Sequence, residues 1–215
     1  MEKTLQQETP SLYPICKRCF DVIFSICVLT FLSPLLLFIA FLIKVSSKGN
    51  VLYSSVRIGK DYKKIYCLKF RTMYVDADER LGSLLEKCPK LKDEWQRYQK
   101  LKKDPRVTFI GRILRKTSLD EFPQFFDVIK GDLSVVGPRP FCENQIDDYL
   151  GSKAPKFLSI KPGITGIWQV SGRNLLTFKE RMILEEAYIE NLSFYQDLWI
   201  ILKTVPAVIF PKGAF

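Results

Sequence analysis

Residues 20–43 read FDVIFSICVLTFLSPLLLFIAFLI. This long apolar stretch divides the chain into an N-terminal membrane segment and the part that follows it. An apolar run longer than about 18 residues is typical of a membrane helix. It is longer than the apolar region of a secretory signal peptide, and no small-residue cleavage site follows it, so we expect the segment to stay attached. The sequence therefore predicts an N-terminal arm with a membrane helix over residues 1–45 and one further unit over residues 46–215.

The middle of this segment contains Ser33-Pro34. Proline removes one helical hydrogen bond and clashes with the preceding turn, so we expect the helix to bend there. Two shapes remain open on the residues alone: a kinked spanning helix, or a sharply bent re-entrant helix whose ends return to one face. Basic residues lie at both ends, and those that follow the segment place residues 46–215 in the cytoplasm by the positive-inside rule.

The composition of the 215-residue chain limits which kinds of catalytic and metal sites it can form. The chain has a formal net charge of +10 and contains no histidine. The charge favours an anionic partner, and the missing imidazole excludes Ser-His-Asp, Cys-His and His-based zinc sites. The six cysteines are scattered, which fits a reducing compartment better than a disulfide scaffold, and the single CxxC at Cys16 and Cys19 is too little for a structural zinc site.

Beyond the membrane segment, the pattern predicts a small β-hairpin followed by helices. Residues 51–58 and 62–72 are rich in strand formers around a Gly59-Lys60-Asp61 turn. Residues 76–102 read as helix with a break at Pro89, and the second piece either lies on a membrane surface or packs on the core. We therefore expect an α+β, mostly helical fold.

Three S/T-x-x-E/Q signatures mark further helix starts, at Ser118, Thr177 and Ser193. The helix from Ser193 toward Phe210 contains Asp197, Lys203 and Pro206, so we expect it to lie in the membrane interface rather than to span.

Asp120-Glu121 is the strongest candidate for chemistry. Pro123 is tolerated only in a first helical turn, so the acidic pair is predicted to lie at a helix start, where the dipole favours carboxylates and phosphates. The alternative is that both are ordinary first-turn acids, with Glu121 closing a capping box to Ser118.

Basic groups surround this pair in the sequence. Arg112, Arg115 and Lys116 lie just upstream. Arg139 stands between Pro138 and Pro140, which stiffen the chain and suit bidentate phosphate binding. For any single arginine, a structural salt bridge is the alternative. A third cluster, residues 161–174, combines three glycines with Trp168 and Arg173, and its backbone amides could approach an anion closely.

These same stretches resemble the bacterial sugar transferases, specifically the monotopic polyprenyl-phosphate hexose-1-phosphate transferases. The motifs are Lys69-Phe-Arg-Thr-Met73, Asp104-Pro-Arg-Val-Thr108, Leu114-Arg-Lys-Thr-Ser-Leu-Asp-Glu121, Gly137-Pro-Arg-Pro140, Pro162-Gly-Ile-Thr-Gly166 and Gln169-Val-Ser-Gly-Arg173. Residues 86–103 look most like the undecaprenyl-phosphate galactose phosphotransferase branch. Two positions depart from the family pattern: Glu185 stands where Asp is expected and Asp127 where Asn is usual.

The resemblance implies a reaction and its residues. A sugar-1-phosphate would pass from a nucleotide diphosphate sugar to a polyprenyl phosphate, with Mg²⁺, on the cytoplasmic face of the bacterial plasma membrane. Asp120 would be the nucleophile of a phosphosugar-aspartyl intermediate. Glu121 would assist through the metal or by proton handling, and both carboxylates would hold the metal. Ser33-Pro34 would be the break of a re-entrant anchor. The implied phosphate- and substrate-binding residues are Lys69, Arg71, Arg115, Arg139, Gln169 and Arg173.

The implied partners are the nucleotide sugar, the polyprenyl phosphate and the phospholipid membrane. No nucleic acid is expected, and a homodimer is left open. Two other function classes compete: a metal-dependent phosphohydrolase that uses the same dyad with water, and a non-catalytic membrane-anchored polyanion binder.

Overall fold

The computed structural model describes residues 12–98, 101, 104–172 and 176–209. Helices dominate it, as the sequence predicts, and two small sheets complete the fold. The helices are α1 (Tyr13–Ser46), α2 (Ala77–Lys87), α3 (Pro89–Tyr98), α4 (Phe109–Thr117), α5 (Gln124–Lys130), α6 (Glu143–Gln145), α7 (Ala154–Phe157), α8 (Ile167–Ser171), α9 (Phe178–Glu190) and α10 (Phe194–Ile209). The strands are β1 (Leu52–Ile58), β2 (Lys64–Phe70), β3 (Ser134–Val136) and β4 (Gly163–Thr165).

Helix α1 confirms the long apolar helix. It continues through Pro34 as one helix of 34 residues. Pro34 has no N–H for the carbonyl of Thr30, four residues earlier, and the Ser33 hydroxyl donates to that carbonyl at 2.8 Å instead. Serine thus restores the hydrogen bond that proline removes, which explains why the pair is tolerated inside an apolar helix.

The predicted β-hairpin is confirmed. Strands β1 and β2 pair antiparallel from Leu52 opposite Phe70 to Ile58 opposite Lys64, and a 3-10 turn over Lys60–Tyr62 joins them. The second sheet was not predicted: β3 and β4 pair in parallel, with Ser134 beside Gly163 and Val136 beside Thr165. Each strand has three residues, too few for a recognisable alternation. This pairing brings the 137–140 loop next to the glycine-rich 161–166 segment.

Three buried clusters hold the fold together. The largest lies between the hairpin, α5, β3 and the last two helices, and Val128, Leu133 and Ile200 in it are fully buried. The second packs Ile58 and Phe141 against α7. The third joins Ile39 and Ile43 of α1 to Phe70 and Leu114.

Two of the three predicted helix caps form. Thr177 and Glu180 make a complete capping box on α9, and the Ser193 hydroxyl accepts the N–H of Gln196 at 3.2 Å at the start of α10. The box at Ser118 is wrong. Ser118 adopts a left-handed conformation (φ 57°) that ends α4, and a serine in that conformation does not cap the following turn.

The break at Pro89 is confirmed, since α2 ends at Lys87 and α3 begins at Pro89. Trp95 of α3 lies 5.0 Å from the guanidinium of Arg106, which is itself buried and paired with Asp104 at 2.7 Å. Helix α10 buries Ile200 but exposes an apolar outer face. That face consists of Tyr195, Leu198, Trp199 and Leu202.

Candidate active site

One open cavity of about 2170 Å³ collects most of the predicted site residues. Its polar end is lined by Lys69, Arg71, Arg115, Asp120, Glu121, Arg139 and Gln169. Apolar side chains also line it, among them Phe24, Val28 and Leu32 of α1 together with Ile201 and Val205 of α10. Pockets for one small ligand usually measure about 300–1,000 Å³, so this cavity has room for two substrates. Ser33 and Pro34 do not line it, although the neighbouring Leu32 does.

Asp120 and Glu121 lie in a short 3-10 turn, Leu119–Glu121, between α4 and α5. The sequence predicts that they lie at the start of a helix. The structure instead places them in the turn before it, since the seven-residue helix α5 begins only at Gln124, after Pro123. Burial first, and the Glu121 carboxylate second, raise the pKa of Asp120 to about 6. Asp120 is therefore less acidic than a helix N-terminus would make it, but it is still mainly ionised at neutral pH.

Lys69 joins the hairpin to the acidic pair. Its ammonium lies 2.5 Å from Oε1 of Glu121, and both side chains are mostly shielded from solvent. The register of β2 is fixed nearby, since the Leu68 N–H donates to the Asp127 carboxylate at 2.7 Å. Asp127, the departure from the usual Asn, thus accepts a backbone hydrogen bond that sets the position of Lys69.

Arg139 reaches the same cavity from the 137–140 loop. The Gly163 N–H donates to the carbonyl of Pro138 at 2.9 Å, and a side chain at Gly137 would collide with the backbone of Gly163. The Arg139 N–H donates to Glu185 at 3.0 Å. Glu185 is almost fully buried, and this burial raises its pKa. The second departure from the family pattern therefore supports the loop that presents Arg139.

Trp168 lies between two arginines. Its ring is 4.4 Å from the Arg181 guanidinium and 5.6 Å from that of Arg139. Arg181 also lies 3.5 Å from Glu185. These contacts give the glycine-rich segment a packing role behind Arg139, in addition to the anion contact that the sequence suggests.

The remaining candidate residues are Arg71, Gln169 and Arg173, and Arg71 and Gln169 differ in whether their side chains form hydrogen bonds. The Arg71 guanidinium donates to the backbone carbonyls of Ser47 and Lys48, so it fastens the end of α1 while it lines the cavity. Gln169 lines the cavity, and its Oε1 is buried without a hydrogen-bond partner in the described part of the chain. Arg173 lies outside the described residues.

Sequence reasoning missed Thr72, which lines the cavity and accepts a hydrogen bond from Arg115. The signal was present, because Thr72 lies within the quoted 69–73 motif. Arg112 and Lys116 of α4 also line the cavity. Their spacing on α4 places them beside Arg115 on the same helical face.

The carboxylate pair fits magnesium but not an all-protein metal cage. Among residues 12–98, 101, 104–172 and 176–209, no three His, Cys, Asp or Glu side chains gather in one place. Mg²⁺ usually keeps several waters and binds through one or two carboxylates plus substrate phosphates. Asp120 and Glu121 can supply those carboxylates, and the surrounding Lys69, Arg115 and Arg139 can hold the phosphates.

The arrangement suits phosphoryl transfer. Phosphoryl transfer depends on positioning and on neutralising charge, and a carboxylate can act as the nucleophile of a covalent step. The cavity places a partly desolvated carboxylate among fixed cations, with an apolar wall contributed by the long N-terminal helix.

Comparison with known proteins agrees with this chemistry. Residues 12–211 match the family described as bacterial sugar transferase. The chain is 42% identical over 214 residues to the exopolysaccharide production protein ExoY of Rhizobium meliloti, covering 98% of this chain and 94% of that protein. It is 41% identical to the undecaprenyl-phosphate galactose phosphotransferase of Salmonella typhimurium, covering 93% of this chain and 41% of that protein. It is 38% identical to the UDP-glucose:undecaprenyl-phosphate glucose-1-phosphate transferase of Klebsiella pneumoniae, covering 94% of this chain and 42% of that protein.

The match extends through the described cavity and over most of the chain. This chain therefore belongs to the bacterial sugar transferase family.

Proposed function

We propose that this sugar transferase moves a hexose-1-phosphate from a UDP-hexose to undecaprenyl phosphate, as a first membrane step of surface glycan synthesis. The observation that carries the proposal is that one open cavity contains both the Asp120-Glu121 dyad with its cations and apolar side chains of α1 and α10. A soluble diphosphate needs the polar end, and a polyprenyl chain needs the apolar wall. The name of the Klebsiella pneumoniae relative contains both substrates, and that of the Salmonella typhimurium relative contains the acceptor and the sugar.

The reaction proceeds in two displacements. The Asp120 carboxylate attacks the phosphorus that bears the sugar, the bond to the inner phosphate breaks, and UMP leaves. An oxygen of undecaprenyl phosphate then attacks the same phosphorus, releases the Asp120 carboxylate and forms the sugar-diphospho-lipid. Lys69, Arg115 and Arg139 hold the charged oxygens, which offsets their repulsion from the carboxylate nucleophile.

Magnesium is part of the proposal. Asp120 and Glu121 would hold the ion, which would supply charge neutralisation for the leaving nucleotide. The Glu121 carboxylate forms an ion pair with Lys69 at 2.5 Å. This contact holds the carboxylate beside Asp120 rather than in solvent.

A re-entrant α1 on the cytoplasmic face of the plasma membrane completes the proposal. Both halves of the helix contact the same domain: Asp21 accepts from Ser134 at 2.7 Å, while Ile39 and Ile43 are buried against Phe70 and Leu114. Asp21 and Ile43 are 22 residues apart, about 33 Å along a straight helix, which is close to the thickness of the hydrocarbon core. A helix that crossed the bilayer would carry one of these contact regions to the opposite surface. Exposed apolar side chains on α10 and on the outer side of α1 would face the lipid.

The test is a product analysis with the full chain in phospholipid nanodiscs. A panel of nucleotide sugars is supplied with undecaprenyl phosphate and Mg²⁺, and both UMP release and the lipid product are followed. Sugar-diphospho-lipid supports the proposal. Free sugar phosphate would indicate hydrolysis, and the absence of turnover with every donor would indicate a binding protein.

The covalent step has its own measurement. With the correct donor alone, intact-mass analysis should show an added hexose phosphate on the wild type and none on Asp120→Asn. Asp120→Asn is nearly isosteric but lacks the anionic nucleophile, whereas Glu121→Gln should still label, at a reduced rate. A wild type that never gains this mass, with kinetics that require both substrates bound together, would replace the covalent route by direct transfer.

A further inference from the structure

Thr72 lies where the hairpin meets α4, two residues beyond β2. It is buried, and its carbonyl accepts the N–H of Thr108 at 3.0 Å. Thr108 in turn caps α4 by accepting the N–H of Gly111 at 2.8 Å. A side chain at Gly111 would collide with the Thr72 carbonyl, so the first turn of α4 rests directly on this residue. Thr72 therefore has a fixed position relative to α4.

The Thr72 side chain holds one edge of a cavity arginine. Nε of Arg115 donates to the Thr72 hydroxyl at 2.9 Å. A guanidinium carries five N–H groups, and four of them lie on the two terminal nitrogens. Within the described residues, those terminal nitrogens make no hydrogen bond, and Arg115 is exposed on the wall that it shares with Asp120.

The guanidinium groups of two other arginines, Arg71 and Arg106, are held differently from that of Arg115. Both terminal nitrogens of Arg71 donate to backbone carbonyls, and Arg106 is paired with the Asp104 carboxylate at 2.7 Å. A carboxylate that orients a guanidinium also occupies its N–H groups, whereas the Thr72 hydroxyl takes only the Nε–H of Arg115. Asp120 and Asp104 act on Arg115 electrostatically, and its terminal N–H groups remain available to a ligand. Arg115 thus combines a fixed inner edge with a free, charged outer edge.

We propose that Thr72 is a positioning residue that holds Arg115 so that its free edge binds the donor's diphosphate beside Asp120. The inference rests on the proposed function and assigns a role to a residue outside the catalytic dyad. Because the inner edge is already ordered, the side chain loses less conformational freedom when the diphosphate binds. Thr72 should then affect phosphate recognition and leave recognition of the nucleoside unchanged.

The test compares inhibition of UMP release by UDP and by uridine, using the full chain in nanodiscs. Thr72→Val keeps the shape of the side chain but removes the hydroxyl. We expect the inhibition constant of UDP and the KM of the donor to rise by at least about fivefold, while the inhibition constant of uridine stays unchanged. Thr72→Ser restores the hydroxyl and should return both values close to those of the wild type.

Thr117→Val is the matched control. The Thr117 hydroxyl bonds to carbonyls of its own helix, α4, and does not line the cavity, so this variant should behave as wild type. A Thr72→Val protein with wild-type UDP inhibition would overturn the inference, as would equal losses for UDP and uridine, which would indicate a general structural role.

Arg115→Gln provides a second test if Thr72→Val does not fold. It should weaken UDP but not uridine, and an unchanged UDP constant would overturn the proposal without any variant of Thr72. If the wild type releases UMP but the variants do not change the inhibition constants as expected, the proposed function is retained and the role of Thr72 is rejected. If the wild type releases no UMP from any donor, the proposed function itself falls.

Discussion

Removal of the Asp197 carboxylate should loosen the N-terminal end of α1 from the domain. Asp197 is 1% exposed and accepts three hydrogen bonds: from Tyr13 at 3.0 Å, from Lys17 at 2.9 Å and from Tyr188 at 2.7 Å. Burial of Tyr188 first, and the Asp197 carboxylate second, raise the pKa of Tyr188, so this hydroxyl remains a donor to Asp197. This cluster connects α1 to α9 and α10 across 180 residues of sequence.

The expected cost of Asp197→Ala follows from these contacts. Removing one partner of a buried ion pair typically costs about 3–5 kcal/mol. Asp21 remains 3.7 Å from Lys17 and still offers partial compensation, so we expect about 3 kcal/mol. For a chain of this length, 1 kcal/mol shifts Tm by about 2–4 °C, which gives a decrease of about 6–12 °C.

The assay is thermal unfolding in nanodiscs, followed by tryptophan fluorescence, for Asp197→Ala, Lys17→Met and the double variant. Since the two side chains act as a pair, Lys17→Met should cost at least about 1 kcal/mol less in the Asp197→Ala background than in the wild type. Lys64 and Glu143, an exposed pair 3.2 Å apart, provide the control cycle, and its variants should shift Tm by less than about 3 °C. A decrease below 3 °C for Asp197→Ala, with additive single variants, would refute the view that this cluster holds α1 in place.

Three further outcomes are expected. Arg139→Lys keeps the charge but loses the planar fork, so transfer should fall more than about tenfold in a folded protein, and near-normal turnover would remove Arg139 from the site. Because the nucleophile must be ionised and the pKa of Asp120 is raised to about 6 in the free protein, the single-turnover labelling rate at subsaturating donor and Mg²⁺ should rise about tenfold from pH 5 to pH 7; a flat profile under these conditions would contradict this role. A cysteine placed before residue 14 should be protected from impermeant reagents in intact cells, and labelling from the periplasm would indicate a spanning α1.

Local patterns in the sequence predicted the local structure well. The 20–43 run, the hairpin around Gly59-Lys60-Asp61, the break at Pro89 and the cap at Thr177 depend on neighbouring residues, so composition and spacing are enough to predict them. The failure at Ser118 has a local cause and a long-range cause. Its S-x-x-E pattern fits a helix start, but Ser118 closes α4 in a left-handed conformation, and the Glu121 side chain pairs with Lys69 instead.

The sequence by itself determined which chemistry is available: no imidazole, an acidic pair at Asp120-Glu121 among basic residues, an excess of cations and a long apolar N-terminal segment. Only the tertiary structure decided which cations act on that pair. Lys69 meets Glu121 across 52 residues, and Thr72 meets Arg115 across 43. It also assigned Arg71 to the end of α1 and Glu185 to the Arg139 loop. Such contacts depend on how the helices and the two sheets pack in space, and no periodicity along the chain records that packing.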